Sequence, residues 1–322
     1  MLKTIRAKLK FQSNYNKVEA DSIELDTVLS YDLFIKKDDN YVIIVEAGTP
    51  IDSEIYAFLK DQETVYVSKN DSRKQGSDPK NLELSIANNK DNSDYSIKLL
   101  YEASARVWDN FFDSKDNYYN LKSVKSIAVS IIILIKNNKN FLKENVSNLR
   151  SDNMFSQHSI HVAIYAVSLA NALNLNDKEL IEVGITGLIY DSGLKKLDEE
   201  ILLKSSALSD SEMEKIHRHP MYSVEFAKHN KIHNPYILDA ILHHHENNDG
   251  SGYPSKLKAK DINIYTSILS ICDVFDALTS DRPYRDHMSS YEALTHMMKD
   301  VNMKNKFNLG YVKLFISLLI SK

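Results

Sequence analysis

Three adjacent imidazoles, His243, His244 and His245, run directly into Glu246-Asn247-Asn248-Asp249-Gly250-Ser251-Gly252-Tyr253-Pro254. Imidazole is the commonest protein ligand for a transition metal, and a Gly-rich turn lets backbone approach a bound group because no Cβ intervenes. Upstream stand His158, in His158-Ser159-Ile160-His161-Val162, then Tyr190-Asp191, then His217-Arg218-His219-Pro220. Downstream comes Cys272-Asp273-Val274-Phe275-Asp276. Each residue alone has an ordinary explanation: a lone buried His is usually hydrogen-bonded core, and a lone Asp on a helix is usually solvated. Together they are residue types that can hold divalent metal, and hydrolysis on a two-metal site needs such a set: a bridging carboxylate, further ligands for each ion and an activated water. All 11 histidines fall at or after His158, so imidazole chemistry belongs to the C-terminal half.

These motifs resemble those of the HD-GYP family of bacterial cyclic-dinucleotide phosphodiesterases, over about residues 152–310. The string from His244 to Pro254 matches its HHE…DGSGYP signature, His158 its HSxxV start, Asp191 its HD aspartate, His219 its HP histidine and Asp273 its last ligand. The resemblance implies an all-helical HD-type domain that hydrolyses cyclic di-GMP or a related cyclic dinucleotide. One ion would be held by Asp191, His219, His244 and His245. The other would take His158, Asp191, Asp273 and a histidine at the position of Tyr190. Asp191 would bridge the two and hold the hydroxide that attacks phosphorus in line. Divalent iron or manganese suits such a His/Asp set. Gly252, Tyr253 and Pro254 would contact the substrate, with Tyr253 touching or stacking on guanine. Asp281-Arg282-Pro283-Tyr284-Arg285 matches the family's DRPYR segment, and Arg282 and Arg285 would clamp phosphate oxygens. His161 ranks below His158 as a ligand, His217 and His243 are expected outside the site, and Asp276 is expected to support or cap.

Two departures fall on one run. The family's HDxGK reads Tyr190-Asp191-Ser192-Gly193-Leu194 here. A phenol has an ordinary pKa of about 10 and ligates only if the ion displaces its proton. Tyr190 therefore either binds as phenolate or points away and leaves a water in its place. Leu194 removes a lysine whose charge would face phosphate, and losing such a group commonly costs on the order of 10²–10³ in rate. Lys195 follows, but on a helix it would point about 100° away. Met154 offers no carboxylate for the third ion that some relatives bind. The expectation is one intact metal site, one weakened site and slow turnover. The alternative is a degenerate domain that serves as a dinucleotide receptor or protein scaffold.

The elements that must position these residues are helical. Residues 151–322 carry apolar spacing at helical period, with 158–173 apolar nearly all round as in a buried central helix. Ser209 and Glu212 have the form of a capping box. Residues 95–150 also read as helices, either connecting helices packed on the catalytic domain or a homodimer interface, with Trp108 and Phe111 as core. Residues 76–94 read as a polar linker, and residues 1–75 as a small α/β or β-rich sensory or interaction module, with strands near 41–45 and 64–67 and a helix near 53–59. The fold class is thus mainly α after a small α/β module.

Composition excludes little else. Lys and Arg number 40 and Asp and Glu 44, a net charge of −4 that draws the chain to neither DNA nor anionic lipid. The longest apolar run, 127–135, is about half a bilayer span, no secretory signal is evident at the N-terminus, and the single Cys272 lies in an apolar run. A cytoplasmic protein acting on a cyclic dinucleotide, with signalling proteins as further partners, is the expectation.

Overall fold

The computed structural model describes residues 15–18, 20, 23, 25, 32–37, 40–46, 49–62, 64–68, 79–88, 92–113, 121–146, 149, 155–202, 204, 206–280, 287–300, 303 and 305–320. The chain divides into two units, Met1–Asp78 and Pro79–Lys322.

The first unit holds β1 (Tyr15–Val18), β2 (Leu33–Lys37), β3 (Asn40–Val45), α1 (Ser53–Lys60) and β4 (Val65–Ser68). The strands form an antiparallel sheet in the order β1-β4-β2-β3. Val65 and Val67 are buried while Tyr66 and Ser68 are half-buried, the period-two pattern of a sheet with one face on a core. That core is Ile23, Leu33, Val45, Ile51, Leu59, Val65 and Val67. Asp52 starts α1 by accepting hydrogen bonds from the Glu54 and Ile55 amides.

The second unit is helical: α2 (Pro79–Asn88), α3 (Ser93–Asp113), α4 (Leu121–Asn137), α5 (Phe141–Asn145), α6 (Phe155–Ala172), α7 (Asp177–Ile189), a 3-10 turn at Ser192–Lys196, α8 (Glu199–Leu202), α9 (Asp210–Ile216), α10 (His219–His229), α11 (Pro235–His243), α12 (Ile264–Thr279), α13 (Ser290–Lys299) and α14 (Leu309–Leu319). Every residue from 159 to 170 of α6 is buried, so α6 is the axis on which α3, α4, α7, α12 and α14 pack. The polar groups that this burial strands are paired: Ser168 donates to the Ile164 carbonyl, and the Trp108 indole donates to Ser159 at 2.7 Å. Capping boxes start α7 at Asn176/Glu179, α9 at Ser209/Glu212 and α13 at Ser289/Glu292. No described helix is long and apolar enough to cross a membrane.

The stretch expected as a polar linker is corrected. Residues 79–88 form α2, which packs on α4. Leu82 and Ile86, four apart on one face, are buried in the same core as the helices that follow. Two apolar residues among Asn, Lys and Glu are a faint stripe in sequence, and tertiary packing on α4 makes up what propensity lacks. Helices α3 and α4 share that core too, through Trp108, Phe111, Ile127 and Ile131.

The burial of Ile86 beside the exposure of Leu84, 60% accessible, sets a test. Ile86→Ala is expected to lower unfolding free energy by about 2–5 kcal/mol, against less than about 0.5 kcal/mol for Leu84→Ala, read from urea midpoints at unchanged slope. Equal, small effects would mean a linker after all.

Candidate metal centre

Five segments converge on one point. His158 lies in the second turn of α6, and Asp191 follows Tyr190, the cap of α7. His219 is the first residue of α10, where Pro220 is tolerated because the first amides of a helix lack partners. His244 and His245 leave the end of α11, and Asp273 and Asp276 stand one turn apart on α12.

Two glycines permit the close approaches. A Cβ on Gly193 would lie 2.0 Å from the His219 carbonyl oxygen, and the Gly193 amide donates to Ser223 at 2.7 Å. The turn that carries Asp191 is thereby pressed onto α10. A Cβ on Gly252 would lie 2.4 Å from the His245 carbonyl oxygen, which folds the glycine-rich loop back over the histidines. Glu246, buried, holds that loop by accepting the Ser255 amide at 2.5 Å and the Leu257 amide at 2.9 Å.

The structure brings Asp191, His219, His244 and His245 together, one ligand atom from each lying within 4.8 Å of the others. The Nδ1 atoms of His219 and His244 sit 2.7 and 2.8 Å from the carbonyls of Ile216 and Ile241. A carbonyl only accepts, so Nδ1 carries the proton and Nε2 of the neutral ring is a lone pair. The two Nε2 atoms lie 3.2 Å apart, and 3.2 and 3.4 Å from Asp191 Oδ1. That oxygen is buried with no hydrogen-bond partner among the described residues. Three acceptors facing one another repel unless positive charge lies between them, so this donor set fits a divalent cation.

The electrostatics agree. Burial opposes charge on Asp191, but a proton taken up by His219 or His244 in place of a cation would hydrogen-bond it, and these two rings hold its carboxyl well below the usual range. Burial likewise opposes charge on His244, yet Asp191 carries that imidazole above its ordinary value. Burial and then His244 push His245 well down, which keeps it a neutral donor.

A second group joins His158, Asp191 and Asp273. Here Tyr190 does not point away. Its fully buried phenol donates to Asp273 Oδ1 at 2.6 Å and lies 2.6 Å from His158 Nε2. Behind it, Asp276 bonds His158 Nδ1 at 2.6 Å and His161 Nδ1 at 3.0 Å, and His161 Nε2 reaches the Tyr101 hydroxyl of α3 at 2.6 Å. Burial works against charge on His158, but Asp273 and Asp276 raise it to about 10. In contrast to the first group, this one closes its own hydrogen bonds.

The remaining sequence candidates fall as follows. His243 lies apart from the donors, bonded to Asp239 at 2.9 Å. Lys195 turns to the Phe111 carbonyl and ring. Cys272 is buried, which pushes its thiol well up. Arg282, Arg285 and Met154 lie outside the described residues. Tyr253, expected to touch or stack on guanine, has a ring against each of its faces within the chain. His245 lies 4.7 Å away at 28° and His217 3.9 Å away at 24°. His217, set aside in sequence because it is two residues from His219, is brought in by this stack. Tyr101 carried no sequence signal, its partner being sixty residues away.

A family model described as HD domain matches residues 131–305, and the chain belongs to that family. It is 32% identical over 208 residues to cyclic di-GMP phosphodiesterase PA4108 of Pseudomonas aeruginosa, covering 63% of this chain and 49% of that protein. It is 37% identical over 164 residues to 3'3'-cGAMP-specific phosphodiesterase 1 of Vibrio cholerae, covering 50% of this chain and 37% of that protein. The chain thus spans about half the length, or less, of these curated relatives. Among solved structures it is similar to Bd1817, a HDG"Y"P protein from Bdellovibrio bacteriovorus, with a TM-score of 0.63 over 95% of this chain and 99% of that one. At 17% identity this likeness shows the fold.

Adjacent histidines with different partners make a sharp test. His244→Ala and His245→Ala are each expected to weaken manganese binding by at least about 10–100-fold in titration calorimetry, while His243→Ala stays within about twofold. Equal losses from all three would contradict this donor set.

Proposed function

We propose that the chain is a metal-dependent phosphodiesterase acting on a cyclic dinucleotide, cyclic di-GMP first among them, with iron or manganese as its ion and with slowed turnover. The observation that carries this reading is the convergence of Asp191, His219 and His244, three buried groups that face one another as acceptors when both imidazoles are neutral. The names of the relatives support the substrate class. A divalent ion held by Asp191, His219, His244 and His245 would polarise a phosphodiester oxygen and stabilise the charge that develops in hydrolysis. Asp191, with a second carboxylate oxygen directed toward His158 at 3.8 Å, would orient the attacking water and accept its proton. The imidazole rings of His219 and His244, locked through Nδ1, would keep that geometry without reorganisation. Gly252 and Pro254 would shape the loop against the substrate, and Arg282 and Arg285 would clamp its phosphates.

Tyr190 makes this a one-ion centre. Its hydroxyl stands between His158 and Asp273, the two residues that would otherwise serve the second ion. With Leu194 in place of a lysine, the expected rate is low. Loss of turnover with retained dinucleotide binding would instead mark a receptor, the second reading that the closed Tyr190 group favours.

Two measurements decide. Metal analysis after reconstitution is expected to find one ion per chain in the wild type and two in Tyr190→His. Hydrolysis of cyclic di-GMP with iron or manganese is expected to be slow in the wild type, to be abolished in Asp191→Asn, and to rise by at least about tenfold in Tyr190→His with Leu194→Lys, since one transition-state contact is commonly worth 10²–10³. A wild type inactive with both metals, alongside an active double variant, would sink the enzyme reading.

A further inference from the structure

A stack of rings leads outward from the metal donors. Tyr253 lies 4.7 Å from His245 and 3.9 Å from His217, within 28° of parallel to both. Two rings so close and so nearly parallel to a third cannot share one of its faces. The lateral offsets left at van der Waals contact are smaller than the width of two imidazoles side by side. They therefore cover opposite faces, in the order His245, Tyr253, His217. His245 is a metal donor, whereas His217 is exposed to solvent.

Local structure holds the stack in place. His217 caps the end of α9 and precedes His219 by two residues, so one short segment places one imidazole among the donors and another on the outside of Tyr253. Between them, Arg218 turns away to Glu214 at 2.7 Å. Tyr253 is anchored from the other side, its amide donating to the His245 carbonyl and its loop held by Glu246. The tyrosine that sequence suggests as a stacking platform is thus a filled spacer, and the outermost π-face of the loop belongs to His217.

We propose that His217, not Tyr253, presents the surface on which a purine of the cyclic dinucleotide stacks, with Tyr253 fixing the distance between that base and the metal donors. The inference rests on the phosphodiesterase reading and names a residue that binds the substrate's bases within it. Because every purine has a π-face, the platform contributes affinity for guanine and adenine alike. Base–aromatic stacking is worth roughly 5- to 150-fold in affinity on alanine substitution.

Titration calorimetry of the manganese-loaded full chain with a hydrolysis-resistant bisphosphorothioate of cyclic di-GMP, and with the matching 3'3'-cGAMP analogue, tests this. His217→Ala is expected to weaken both by about fivefold or more. His217→Phe, which keeps a ring and loses the nitrogens, is expected to stay within about twofold of the wild type. Both variants should retain wild-type manganese content. Wild-type affinity in His217→Ala, or His217→Phe as weak as His217→Ala, would overturn the stacking role and leave the phosphodiesterase reading standing. Loss of manganese in both variants would place His217 in the metal centre and overturn it equally. Failure of the loaded wild type to bind either analogue would overturn the phosphodiesterase reading, and this inference with it.

Discussion

The second unit is organised around an electrostatic conflict. Asp191 Oδ1 and the Nε2 atoms of His219 and His244 lie within about 3.4 Å of one another, all buried, and none has a proton to offer while the two imidazoles are neutral. An unpaired buried acceptor typically costs about 1–3 kcal/mol, and the cost persists only where the surrounding fold forces it. That force comes from helix ends. The carbonyls of Ile216 and Ile241 belong to the last turns of α9 and α11, where the helix leaves them without partners. Each takes the Nδ1 proton of the histidine three residues on, which fixes the tautomer and aims the lone pair inward. Unsatisfied ends of two helices thus become the orienting elements of a candidate metal centre.

Beside it lies a group of similar composition and opposite character. Tyr190, His158, Asp273, Asp276, His161 and Tyr101 form a hydrogen-bonded chain in which every member has a partner. Protons on the Tyr190 phenol and the His158 ring turn what would be an acceptor cluster into one that is already satisfied. The same chain ties α3, outside the matched family region, to the wall of the site, so the N-terminal helices of this unit contribute to the centre as well as to the core.

Much of this was legible in the sequence, and for identifiable reasons. Apolar residues recur at helical spacing from α6 onward, nearly all round in α6 itself, and the cap at Ser209 is a local device that depends on residues three apart. The candidate metal donors stand out because histidine and aspartate recur in one order along the chain. Helix α2 was obscured because two buried residues in a polar stretch make no stripe, and its stability comes from α4. The role of His217 was obscured because helical geometry predicts that residues two apart diverge, and the chain at Ile216–His219 is a helix junction instead.

The string from His243 to Pro254 shows where the division lies. The sequence by itself determined that this stretch could ligate metal and close over a ligand, since residue type settles which atoms carry lone pairs and which positions admit close backbone contact. Only the tertiary structure decided that the Tyr190 phenol occupies the adjoining group and that Tyr253 is covered on both faces. Those outcomes depend on where side chains from separate helices meet. Packing around the buried α6 sets that meeting point, and no local pattern encodes it.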